Sequence, residues 1–89
     1  MRAVITVIGK DAIGIIASVS NILQNHKANI LDISQSVLSD LFAMIMLVDI
    51  SKCEAGLPAI ADELSKKGAE LGLSIHTTHE DIFNSMHRI

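Results

Sequence analysis

Apolar residues first cluster in Arg2 to Ile8, a run rich in Val, Ile and Thr that stops at Gly9 and predicts a short buried strand. From Ile13 to about Lys27 the spacing changes. Ile15, Ile16, Val19, Ile22 and Leu23 recur with Ser18, Asn21, Gln24 and Asn25 between them, the 3.6-residue period of an amphipathic helix. Asn29 to Leu38 and Leu41 to Ile50 are β-like runs separated only by Ser39-Asp40, and predict an antiparallel hairpin. Leu57, Ile60, Ala61, Leu64, Gly68 and Leu71 mark one face of a second helix, with Pro58 in its first turn and Gly72 at its C-terminal cap. Leu73 to Thr78 reads as the last strand. Thr78-His79-Glu80-Asp81 has the Thr-x-x-Asp form of a helix start, and Ile82, Phe83 and Met86 follow on one face of a short C-terminal helix.

The order strand, helix, strand, strand, helix, strand is the split βαβ arrangement of α+β, ferredoxin-like folds. With right-handed crossovers it gives a four-stranded antiparallel sheet carrying both main helices on one face. Eighty-nine residues make a single domain over 1–78, extended at 79–89 by the C-terminal helix.

One strand breaks the apolar–polar alternation expected of such a sheet. Phe42, Met44, Met46, Val48 and Ile50 share one face of the hairpin's second strand, and Ala43, Ile45 and Leu47 share the other. Leaving one such face in water forfeits about 1.5–3 kcal/mol per large side chain. The expectation is therefore a homodimer in which a second subunit covers Phe42, Met44 and Met46 while the chain's own helices cover Ile45 and Leu47. Closure of that face by loops or by the C-terminal helix of the same chain is the alternative.

Composition narrows the function classes. Hydrophobic residues are 49% of the chain and aromatic residues 2%, so Ile, Leu, Val, Ala and Met must pack the core. A formal net charge of -3 with scattered basic residues disfavours nucleic acid and an anionic membrane as partners. The longest apolar stretch, Leu41 to Val48, is far short of the ~20 residues that span a bilayer. The amino-terminal run reads as a strand rather than a signal peptide. The single cysteine, Cys53, forms no intramolecular disulfide, and a cytoplasmic location is the default expectation.

The segment Gly9-Lys10-Asp11-Ala12-Ile13-Gly14-Ile15-Ile16-Ala17 carries the most chemistry. Gly9 frees the backbone to turn, Asp11 can cap the orphan amides of the helix, and Gly14 removes a side chain where a ligand or another backbone approaches. A helix start so arranged can receive a carboxylate. A plain glycine turn before a capped helix has the same signature. Asn29, at the start of the next strand, is expected near the same sheet edge, where a second subunit closes the cavity, although it is as readily a turn former.

No enzymatic site is expected. His76, His79 and His87 fit no closed zinc spacing, Cys53 lacks a nearby base in sequence, and Met44 and Met46 read as packing. No cofactor is implied.

Val7-Ile8-Gly9-Lys10-Asp11 running into Gly14-Ile15-Ile16-Ala17, then Ala28-Asn29-Ile30-Leu31-Asp32-Ile33, and late Leu71-Gly72-Leu73-Ser74-Ile75, together resemble the ACT domain, an amino-acid-sensing module, over about residues 1–78. Including 79–89, the chain resembles bacterial and archaeal free-standing ACT proteins, similar to the ACT halves of the glycine-cleavage-system transcriptional repressor. The resemblance implies paired ferredoxin-like protomers holding an amino acid between the first loop and helix of one subunit and its partner, with contacts at Asp11, Ile13, Gly14, Ile15 and Asn29. A regulated partner protein, to which occupancy is passed, is the accompanying expectation; a ligand-independent interaction module is the alternative. Where many ACT loops read Asp-Arg-Pro-Gly, Ala12 and Ile13 stand here before Gly14, which removes a guanidinium from the site.

Overall fold

A computed structural model describes residues 1–10 and 14–86, without the side chains of Leu38 and Met86. Its elements follow the predicted order: β1 (Arg2–Gly9), α1 (Ile15–Asn25), β2 (Asn29–Leu38), β3 (Leu41–Asp49), α2 (Leu57–Leu71), β4 (Ser74–His79) and α3 (Glu80–Met86). The strands form one four-stranded sheet in the order β2-β3-β1-β4, antiparallel throughout. This is the ferredoxin-like arrangement, with β2 and β4 as its edges.

The register fixes which side of each strand is inside. Ala3 lies opposite Val48, Ile5 opposite Met46 and Val7 opposite Met44, and all six are buried with Ile15, Val19 and Leu23 of α1 and Ile60 and Leu64 of α2. The expected division of the hairpin is therefore reversed: Phe42, Met44 and Met46 pack under the chain's own helices, and Ile45, 43% exposed, faces the other way. The reason lies in β1. Thr6 interrupts one of its faces, so Ala3, Ile5 and Val7 form its uniformly apolar side, and cross-strand neighbours share a face. With so few aromatics, the long Met and Phe side chains of β3 are needed to fill the space between sheet and helices.

α2 comes very close to β4. A Cβ on Gly68 would stand 2.9 Å from Ile75 Cγ1 and 3.1 Å from the Leu73 carbonyl oxygen, so only glycine allows this approach. Gly72 ends the helix with φ 73°, as its predicted capping role requires.

The C-terminal helix forms, but with a different start. β4 stays paired to β1 as far as His79 opposite Ala3, which keeps Thr78 in the strand. The ring Nδ1 of His79, rather than the Thr78 hydroxyl, accepts the Asp81 backbone N–H at 3.1 Å. α3 then lies against β1 and β4, tied by Arg2 to Glu80 at 2.9 Å. Val4 points away from α1 and α2 yet is only 5% exposed, so α3 shields this end of the second sheet face. Among the described residues no helix is long and apolar enough to cross a membrane.

Candidate functional site

The β1–α1 junction is shaped by two glycines with different duties. Gly9 is a buried strand residue opposite Phe42, and a Cβ there would collide with the Leu73 side chain, so its role is close packing rather than turning. Gly14 sits at the N-cap of α1 with φ 74°, and among the described residues a Cβ there would meet nothing within 4 Å. Glycine adopts this left-handed backbone without strain. The Ser18 amide closes the first helical hydrogen bond onto the Gly14 carbonyl at 3.0 Å. Having no side chain, Gly14 offers no cap, and the first-turn amides of α1 leave a partial positive charge at an exposed end.

Of the expected contacts, Asp11 and Ile13 lie outside the described residues. Ile15 is 1% exposed, and its side chain anchors α1 in the core, so only its backbone is available at the helix start. Asn29 is exposed at the first position of β2, on the edge strand as expected, but not near the loop. It pairs with Asp49, which pairs with Arg2, whereas the loop leaves the sheet where Gly9 pairs with Phe42. Those two rows lie at opposite ends of β3, about 23 Å apart at ~3.3 Å per residue. Within one chain Gly9, where the loop begins, and Asn29 do not meet.

Asn29 instead belongs to an open groove of about 700 Å³ between the end of α1 and the ends of β2 and β3, lined among others by Ser20, Gln24, Lys27, Asp49 and Lys52. No sequence motif marks this groove, because its residues are scattered from position 20 to 52. Lys27 is held with φ 61° where α1 ends, and the Ala28 amide returns to the Leu23 carbonyl at 2.9 Å. Asp49 accepts hydrogen bonds from the Ser51 hydroxyl at 2.6 Å and the Ser51 amide at 2.9 Å, which hold its carboxyl below the usual carboxylate range. The groove thus offers cations, a fixed anion and amides, the donor and acceptor set for a small zwitterion.

The remaining chemistry does not converge. His76 and His79 occupy positions of opposite parity on β4 and so project to different faces, and His87 lies outside the described residues. Among the described residues no three His, Cys, Asp or Glu side chains gather as a metal site. Burial, and then the charge of Asp49, push the Cys53 thiol up, which keeps it protonated at neutral pH.

Residues 2–78 match the family model of the ACT domain. The chain belongs to the ACT domain family. It is 52% identical over 88 residues to a UPF0237 protein of Methanopyrus kandleri, covering 99% of this chain and 98% of the relative. Among solved structures, an ACT domain protein from Streptococcus pneumoniae superposes with a TM-score of 0.81 at 37% identity, covering 93% of each chain. The regulatory subunit of aspartate kinase from Thermus thermophilus shares the fold alone, with a TM-score of 0.65 at 24% identity over 85% of this chain and 49% of that one. ACT domains are regulatory modules that bind small ligands, and the chain is an ACT domain over nearly its whole length.

Proposed function

We propose that this ACT domain works as a non-catalytic, cytoplasmic, regulatory homodimer that binds an amino acid or related small carboxylate and passes its occupancy to a partner protein. One observation carries the reading: the α1 start and the Asn29 groove lie at opposite ends of the sheet, and the strand at its rim, β2, is an unpaired edge. Leu31, Ile33 and Val37 remain exposed along that edge, a template for another strand. Antiparallel pairing of β2 with its copy about a twofold axis carries the Gly14 end of one protomer to the Asn29 end of the other. The α1 amides then hold the ligand carboxylate, while Asp49 and Asn29 of the partner protomer receive its ammonium group.

The test is a thermal-shift and calorimetric screen of the full chain against the twenty amino acids. A true ligand at 100 times its Kd raises stability by about 2.7 kcal/mol, saturably. A flat screen on a well-folded dimer removes the ligand and leaves a ligand-independent interaction module. A chain that sediments as a monomer at every practical concentration removes the shared site altogether.

A further inference from the structure

The sheet face turned away from α1 and α2 is covered over only half its length. α3 shields the Val4 end, whereas at the other end Ile8 is 39% and Ile45 43% exposed, with Ala43 beside them. Ser34 and Ser36 on β2 and Ser74 and His76 on β4 flank this bare half, so an apolar centre is rimmed by small polar residues, the anatomy of a protein interface. Above it, α3 raises Ile82, 56% exposed. We propose that this face joins two copies of the chain, the α3 of each seated on the bare Ile8–Ile45 half of the other.

The geometry favours a second copy because the face fits itself. A twofold axis parallel to the sheet and across its strands reverses strand direction but keeps β1 and β4 above their counterparts, so each α3 ridge meets the partner's hollow. An axis along the strands would stack ridge on ridge. The apolar centre made by Ile8, Ala43 and Ile45 is uncharged, and Arg2 and Glu80 at the covered end satisfy one another at 2.9 Å, so the charged residues of this face, Lys10 and Asp32, stand at its border. The chain is a slab of 36 × 34 × 19 Å, and one of its broad faces can supply the ~800 Å² per partner typical of stable interfaces. This contact lies at right angles to the β2 edge and does not depend on it; together the two close a dimer of dimers.

Sedimentation of the full chain and its variants tests the contact, with circular dichroism confirming that each variant is folded. Ile45→Lys and Ile82→Glu, both at exposed positions, are each expected to halve the wild-type particle mass. Mixing the two variants restores it, because the new cation of one chain faces the new carboxylate of the other. Ile33→Lys, on the β2 edge, halves the mass by the other interface. A mass unchanged by both Ile45→Lys and Ile82→Glu overturns the proposal, even if Ile33→Lys splits the particle and the β2 dimer stands. If Ile33→Lys has no effect while Ile45→Lys halves the mass, the face contact stands and the shared ligand site fails.

Discussion

Lys27 occupies a backbone position that most helices give to glycine, with φ 61° at the end of α1. Left-handed backbone costs a residue with a Cβ about 1–2 kcal/mol, part of which glycine would return as unfolded-state entropy. Lys27→Gly is therefore expected to stabilise the fold by about 0.5–1 kcal/mol in chemical denaturation. It should also strengthen ligand binding at the groove, because a lining cation that repels the ligand's ammonium group is lost. Asp49 offers a second test. Hydrogen bonds from Ser51 favour its charged form, so its folded titration point lies below its unfolded one. The stabilisation is therefore present above the ordinary carboxylate range and disappears as pH falls through the depressed value. Ser51→Ala removes the larger of the two hydrogen bonds, and the Asp49 carboxyl should titrate at higher pH when followed by NMR.

At the scale of elements, the period of each segment fixed its type, because helices and strands impose different spacings on apolar residues. Periodicity did not reveal which side of β3 is inside, since Phe42, Met44 and Met46 and the opposed Ile45 and Leu47 are all apolar. The deciding signal stood one strand away, at Thr6, and becomes readable only through the β1–β3 register. The groove at Asn29 escaped for a related reason: its walls come from helix and strand ends that tertiary packing alone brings together. The corrected orientation predicts an asymmetry between adjacent residues. Met46→Ala, at a fully buried position, should cost about 2–5 kcal/mol, whereas Ile45→Thr on the opposite face should change the protomer's own stability by less than about 1 kcal/mol. Equal costs measured by denaturation would mean that the strand is turned over.

For the whole molecule, the separation of the α1 start from Asn29 has a thermodynamic consequence. A ligand that bridges one protomer's helix start and its partner's groove binds the dimer and not the separated chains. Binding and association must then strengthen one another by the same factor. At a dilution where half of the chains are free, saturating ligand should drive them back into dimers. Ile33→Lys, although it belongs to neither half of the site, should weaken ligand binding in proportion to the dimer it removes. Sedimentation with and without ligand, paired with calorimetry on the variant, measures both sides of this linkage. If the Ile33→Lys chain, its β2 edges unpaired, bound ligand as tightly as the wild type, each groove would be complete within one chain. Regulation would then have to act through a route other than the shared β2 edge.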